Sequence, residues 1–176
     1  LGPEGTLTAL LNARHLGSLI LWGPPGSGKT TIARLLADSS NLEFVQMSAI
    51  FSGVQDLRKA FDAARLSRDA GRGTMLFVDE IHRFNRAQQD GFLPVMEDGT
   101  VTLVGATTEN PSFELNAALL SRAAVLRLKR LEAGDLSVLL DRAEAALGMT
   151  SLGEEARGLL IELADGDGRS LLNLVE

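Results

Sequence analysis

The chain has 176 residues, of which 45% are hydrophobic and 23% charged, with a net charge of −6, a pI near 5.0 and no cysteine. This composition is typical of a globular protein, and it excludes disulfides, cysteine-based zinc sites and a thiol nucleophile. The acidic balance gives no overall positive field for nucleic acid, so any DNA contact must come from local patches or other segments. The sequence shows no membrane-length apolar stretch and no signal peptide, so we expect a cytoplasmic protein with no membrane partner.

Short apolar runs alternate with segments of helical periodicity along the first 130 residues. The apolar runs predict strands at residues 18–22, 43–48, 74–78, 100–106 and 124–128. The periodic segments predict helices at residues 31–37, 53–70, 86–96 and 117–121, the third continuing past Pro94. Alternating strands and helices predict an α/β fold, with a five-stranded parallel sheet between helices.

From about residue 131 the pattern changes to helices without strands. Apolar periodicity predicts helices at residues 132–148, 154–163 and 169–175. We therefore expect two domains, an α/β core over residues 1–130 and part of a helical subdomain over residues 131–176. The chain starts without methionine and stops inside an apolar-periodic segment, so it reads as part of a longer protein.

A glycine-rich segment between the first strand and the first helix matches the phosphate-binding pattern G-x-x-x-x-G-K-[ST]. It consists of Gly23, Pro24, Pro25, Gly26, Ser27, Gly28, Lys29 and Thr30, followed by Thr31. With this chain's residue frequencies, a random match has a chance of roughly 0.4%. Glycines allow successive N–H groups to face an anion, the lysine reaches the β- and γ-phosphates, and the threonine hydroxyl binds Mg²⁺. The motif predicts a site for a nucleoside triphosphate with Mg²⁺.

Two acidic residues, Asp79 and Glu80, directly follow the third predicted strand. In open α/β sheets, ligands bind at the carboxyl ends of the strands. We expect Asp79 to hold Mg²⁺ through its water shell and Glu80 to polarise the water that attacks the γ-phosphate. His82 lies nearby, but the chain has two histidines without ligand spacing, so we interpret it as a packing residue.

Two further segments carry a family resemblance. They are residues 104–116 with 119–122, and residues 79–85 with 88–90. With them the chain resembles AAA+ ATPases over essentially its whole length, and more narrowly the family of replication-associated recombination protein A and Werner-helicase-interacting protein. The resemblance implies an AAA+ P-loop NTPase core that hydrolyses ATP with Mg²⁺, followed by the start of a helical lid. A polar residue at the end of the second strand restrains the catalytic glutamate in relatives, which makes Ser48 a candidate for that role.

The resemblance also implies roles for three residues outside the phosphate loop. Thr108 matches the first sensor, which hydrogen-bonds the γ-phosphate or its attacking water. Arg122 matches the arginine finger offered to the neighbouring subunit's nucleotide. Arg169 matches the second sensor of the lid, which contacts the nucleotide of its own subunit. Family members usually carry another basic residue directly after it, where this chain has Ser170.

The resemblance further implies a homo-oligomeric ring that acts on DNA at stalled replication forks, with DNA contacts largely outside this chain. It also implies association with the nucleoid if the protein is bacterial. One alternative is a nucleotide-gated, clamp-loader-like interaction module with little turnover of its own. Another is a small-molecule kinase with the same phosphate loop. The presence of Glu80 and Arg122 argues against the first, and the Asp79–Glu80 pair with the helical tail disfavours the second.

Overall fold

The computed structural model describes residues 16–148 and 152–175, which form two compact units. The α/β unit contains Lys29–Arg127 and the described residues up to Trp22, and the helical unit contains Gly23–Gly28 and the described residues from Leu128 onward. The domain boundary after residue 130 stays a prediction. None of the helices described is long and apolar enough to cross a membrane.

A five-stranded parallel sheet organises the α/β unit. Its strands are β1 (Leu19–Trp22), β2 (Glu43–Ser48), β3 (Thr74–Asp79), β4 (Val101–Thr107) and β5 (Ala124–Arg127). They lie in the order β2-β3-β4-β1-β5, and every neighbouring pair is parallel. The predicted α/β fold is confirmed. Because all strands run in one direction, their carboxyl ends meet at one edge of the sheet.

The central strands are buried on both faces. In β3 every residue from Thr74 to Val78 is buried, whereas the edge strand β2 is partly exposed along its length. This burial explains why the sequence of β3 is continuously apolar rather than alternating. Asp79, the last residue of β3, is the first in that strand to reach solvent.

The helices of the α/β unit connect successive strands. They are α1 (Lys29–Ser39), α2 (Val54–Asp69), a 3₁₀ helix (Ile81–Arg83), α3 (Arg86–Asp90), α4 (Phe92–Glu97), α5 (Pro111–Glu114) and α6 (Ala117–Leu120). The single helix predicted over residues 86–96 is wrong, since two short helices meet there at Gly91. The reason is Pro94, which has no N–H to donate to the carbonyl of Asp90 and whose ring would crowd that carbonyl.

Gly105 in β4 makes room for the 3₁₀ helix. A Cβ atom at Gly105 would lie 2.8 Å from Ile81 Cδ1 and 2.9 Å from Ile20 Cδ1. Ile81 is fully buried and begins the 3₁₀ helix. Because glycine has no side chain, Ile81 can pack directly against β4, and this contact brings the next residue, His82, to the end of that strand.

The helical unit contains α7 (Ala133–Leu147), α8 (Glu154–Ala164) and α9 (Gly168–Val175). Its buried apolar cluster consists of Leu136, Leu140, Ala164 and Leu171. Arg157 joins α8 to α7 through ion pairs with two residues of α7, Glu144 at 2.7 Å and Asp141. The hydrogen bond to Asp141 raises the pKa of Arg157 above its usual value.

Candidate functional site

The phosphate loop has the backbone that its glycines predict. Gly26 and Gly28 have positive φ angles of 64° and 87°, which residues with a Cβ rarely adopt. The Ser27 hydroxyl donates to the Pro24 carbonyl at 2.8 Å and closes the turn. Helix α1 begins directly after the loop at Lys29, so the N-terminus of the helix, where its dipole is positive, follows the loop. This arrangement suits an anion such as a phosphate.

Gly26 also allows a close approach within the helical unit. A Cβ atom at this position would lie 1.8 Å from Asp167 Oδ1, and the Gly168 N–H donates to the Gly26 carbonyl at 3.2 Å. Asp167 Oδ1 accepts hydrogen bonds from the N–H groups of Arg169 and Ser170. The beginning of α9 therefore lies against the phosphate loop. The family resemblance predicts that Arg169 belongs to the lid, but no pattern in the sequence predicts the contact of Asp167 with the loop.

The Arg169 side chain is exposed, at the first turn of α9. In residues 16–148 and 152–175 its guanidinium forms no ion pair or hydrogen bond, whereas its backbone N–H donates to Asp167 Oδ1 at 2.8 Å. The side chain is therefore available to a ligand. Its predicted role as the second sensor stays a prediction.

Asp79 and Glu80 lie at the carboxyl end of β3, as the sequence predicts. Asp79 Oδ1 accepts a hydrogen bond from the Glu80 N–H at 3.1 Å. Glu80 has φ 54° and ψ 43°, in the left-handed region that is uncommon for residues other than glycine. The two consecutive carboxylates have different neighbours, since Asp79 contacts the Glu80 N–H and the Glu80 carboxylate contacts His82.

The oxygen donors present fit Mg²⁺ rather than a transition metal. Thr30 would supply a hydroxyl and Asp79 a carboxylate, and Mg²⁺ is usually held by one or two such groups together with substrate phosphates and water. No group of three or more His, Cys, Asp or Glu side chains that could hold a metal occurs in the described ranges. The donor set therefore matches a cation that arrives with a nucleotide.

Three side chains meet where β3 and β4 end. Thr107 Oγ1 lies 3.0 Å from His82 Nδ1, and the same nitrogen lies 3.3 Å from Glu80 Oε2. Thr107 is fully buried, and the His82 side chain is only 7% exposed. The sequence-based interpretation of His82 as a packing residue missed its polar contacts, because Thr107 is 25 residues away along the chain.

Thr108, the predicted first sensor, is the residue directly after β4. It is partly buried, and its hydroxyl has no hydrogen-bond partner within the part of the chain that the structure describes. The neighbouring Thr107 hydroxyl instead accepts from the Glu109 N–H at 3.0 Å and lies 3.3 Å from the Glu109 carbonyl. Thr108 is thus left with a hydroxyl able to bind a ligand, next to a neighbour held in place.

Arg122, the predicted arginine finger, follows α6 and is held by two kinds of contact. Its Nε and Nη2 lie 2.7 and 2.6 Å from Glu97 Oε1. Its Nη1 donates to the Ala118 carbonyl at 2.9 Å. The side chain remains 40% exposed. The guanidinium is therefore held at the surface of the α/β unit rather than folded into it.

Gln89 is a buried polar residue, and in the sequence it stands out only as part of a family motif. It is 2% exposed, and its Nε2 donates to the carbonyls of Phe84 and Glu114 at 2.9 and 3.1 Å. Its Oε1 accepts from the Asn116 N–H at 2.8 Å. One amide thus connects the segment after β3 to the segment that leads into Arg122. A glutamine on a short helix gives no sequence signal for such a role.

The chain matches the model of the ATPase family associated with various cellular activities (AAA) over residues 19–131. It is 51% identical to replication-associated recombination protein A of Escherichia coli strain K12, over 97% of this chain and 39% of that protein. It is 44% identical to the ATPase WRNIP1 of Dictyostelium discoideum, over 95% of this chain and 20% of that protein. The chain thus spans about two fifths of the length of the bacterial relative.

A similar solved structure is the RuvB Holliday junction branch migration motor of Thermotoga maritima. It is 30% identical, with a TM-score of 0.79, and the match covers 96% of this chain and 57% of that one. The similarity to replication-associated recombination protein A and its relatives confirms the family resemblance found in the sequence. The phosphate loop, the acidic end of β3 and the parallel sheet accord with these matches, and the chain belongs to the AAA family of ATPases.

Proposed function

We propose that this chain is the ATP-binding and ATP-hydrolysing part of a DNA replication and recombination maintenance protein. The observation that carries the proposal is the placement of Glu80 at the end of β3, next to Asp79 and with its carboxylate 3.3 Å from Nδ1 of the His82 side chain. A carboxylate held there is suited to take a proton from a water that attacks a phosphate.

The phosphates would be bound by residues 23–31. The loop from Gly23 to Gly28 would supply backbone N–H groups, Lys29 a positive charge and Thr30 a hydroxyl. Mg²⁺, when bound by Thr30 and Asp79, would supply charge that stabilises the phosphate oxygens. Arg169 would contact the same nucleotide from α9. The contact of Asp167 with Gly26 supports this assignment, because it sets the first turn of α9 beside the loop.

Thr108 and Arg122 would act on the terminal phosphate. Thr108 has a hydroxyl available to bind it, directly after the buried Thr107. Arg122 would serve the nucleotide of an adjacent subunit in a homo-oligomeric ring. Its partial exposure at the surface of the α/β unit supports that role, since a finger must reach beyond its own subunit.

DNA would be the partner of the whole ring, at stalled or recombining replication forks, in the cytoplasm. The names of the relatives support this proposal, because they refer to replication-associated recombination and to branch migration of Holliday junctions. The net charge of −6 indicates that the DNA contacts lie largely outside this chain.

Two variants test ATP binding and turnover separately. We expect Lys29→Ala to abolish tight ATP binding, because it removes the positive charge that contacts the phosphates. We expect Glu80→Gln to bind ATP normally and to lose turnover by about 10²- to 10⁴-fold, because the amide cannot accept the proton. Nucleotide titration and phosphate release in the full-length protein measure both. Wild-type turnover by Glu80→Gln would show that Glu80 is not the base.

A further inference from the structure

The Glu80 side chain starts from an unusual backbone conformation. Its φ of 54° places it in the left-handed region, where a residue with a Cβ is disfavoured. Such a conformation persists where surrounding contacts hold it, and these positions cluster at functional sites. The contacts of the Glu80 side chain therefore bear on how the base is positioned.

The carboxylate of Glu80 is contacted by His82 rather than by Ser48. Glu80 Oε2 lies 3.3 Å from His82 Nδ1. Ser48, the sequence-based candidate for restraining Glu80, pairs with Asp79 across the sheet, and no hydrogen bond joins it to Glu80 among the residues described. The residue in a position to orient Glu80 thus comes from the same loop, two residues further on.

The surroundings of His82 decide which ring nitrogen carries the proton. An ionised carboxylate only accepts hydrogen bonds. If Nδ1 carried no proton, it would also be an acceptor, and two acceptors would then lie 3.3 Å apart without a hydrogen between them. A proton on Nδ1 instead satisfies Glu80 Oε2 and Thr107 Oγ1 together. The Thr107 hydroxyl is then free to donate to the Glu109 carbonyl while it accepts the Glu109 N–H. With Nδ1 protonated, Glu80 Oε2, the Thr107 hydroxyl and the backbone N–H and carbonyl of Glu109 each have a compatible partner.

We propose that His82 is a positioning residue for ATP hydrolysis, whose Nδ1–H orients the carboxylate of Glu80 and joins it to Thr107 at the end of β4. This inference rests on the proposed hydrolysis. Ile81, buried in the gap left by Gly105, fixes the backbone of His82 against that strand. Because Thr108 follows Thr107 directly, the same hydrogen bonds link the predicted γ-phosphate contact to the base.

Two amide substitutions distinguish the proposed hydrogen bond from simple packing. The side-chain amide of asparagine places an N–H near the position of Nδ1, whereas that of glutamine places one near Nε2. In the full-length protein we expect His82→Ala to lower kcat by about 10- to 100-fold without changing ATP affinity, because misorientation of a catalytic group costs this much. His82→Asn should restore most of the turnover, and His82→Gln should resemble His82→Ala.

A second measurement separates the loss of the His82–Glu80 contact from a general loss of folded structure. In the Glu80→Gln background, single-turnover hydrolysis should fall no further when His82 is changed to Ala, because the base that His82 orients is already absent. Equal losses in both backgrounds would overturn the inference, and so would equal rescue by Asn and Gln or wild-type kcat in His82→Ala. Absence of ATP turnover in the unaltered protein would instead overturn the proposed function and the inference with it.

Discussion

The α/β unit and the helical unit differ in how their site residues are supported. In the α/β unit, Glu80 and Thr107 lie at the ends of β3 and β4, the two strands whose side chains are most fully buried. In the helical unit, Arg169 lies on a helix of eight residues, about two turns, and the core of that unit has a cluster of four buried apolar side chains. Large apolar side chains such as Leu159 and Leu163 remain 57% and 60% exposed there.

This difference shows which site residues are held in place by the fold itself. Strand ends are fixed by long-range pairing across the sheet, so the side chains at these ends keep their geometry when nothing is bound. Helices that share a small core unfold locally at a lower free-energy cost than the strands of a buried sheet, and elements that move during function commonly have such low local stability. We therefore expect changes in the α/β unit to alter the chemical step, and changes in the helical unit to alter the stability of that unit.

The largest effect should come from Arg122→Ala. An arginine finger contributes about 10³- to 10⁵-fold in rate, or about 4 to 7 kcal/mol of barrier, because it neutralises charge that develops in the transition state. Arg122→Ala in the full-length protein should thus bind ATP and turn it over very slowly, as measured by phosphate release. If Arg169→Ala lowered turnover more than Arg122→Ala does, the expectation that the α/β unit controls the chemical step would be wrong.

Mixed rings sharpen the assignment of Arg122 to a neighbouring subunit. The Arg122→Ala variant keeps the base, and the Glu80→Gln variant keeps the finger. If the two residues serve one site from different subunits, mixing the variants should restore activity that neither shows alone. No recovery, in mixtures shown by native mass spectrometry to co-assemble, would place Arg122 in its own subunit's site or outside catalysis.

The next largest effect should be a local loss of stability on changing Leu140 to Ala. Leu140 is fully buried in α7, and truncating such a leucine costs about 2 to 5 kcal/mol because it removes apolar contacts and leaves a cavity. Amide hydrogen exchange should report lower protection across α7, α8 and α9, with the sheet amides little changed. Val138→Ala is a matched control on the same helix, since Val138 is 49% exposed and its truncation should cost less than about 0.5 kcal/mol. An equal loss of stability in the two variants would contradict the placement of Leu140 in the core of the helical unit.

The smallest effect should come from Glu97→Gln. This change weakens the ion pair that holds Arg122 while keeping a side chain of the same shape. Because Glu97 and Arg122 are 53% and 40% exposed, the pair is worth about 0.2 to 1 kcal/mol, so turnover should fall by no more than about fivefold. Asp62→Asn weakens another exposed ion pair, with Arg65, far along the chain in α2, and should leave kcat unchanged. A loss as large as that of Arg122→Ala would mean that Glu97 has a role beyond holding the finger.

Much of the fold could be predicted because its signals are local. The apolar run of β3, the glycines of the phosphate loop and the acidic pair that follows β3 each lie within a few consecutive residues. The break between α3 and α4 was missed although Pro94 was visible, because apolar periodicity continues across it. The contacts of His82 with Thr107 and of Gln89 with Glu114 and Asn116 could not be predicted, since each joins residues about 25 positions apart.

By itself the sequence determined the alternation of strands and helices and the family, and it predicts the class of ligand and the residues that would contact phosphate and Mg²⁺. These features depend on consecutive residues, where backbone freedom, hydrophobic periodicity and charge act locally. Only the tertiary structure decided which distant residues meet: His82 and Thr107, Glu97 and Arg122, and Asp167 and Gly26. The physical reason is that a hydrogen bond or a close contact is set by distance in space, and parallel strands bring together residues that the chain keeps far apart.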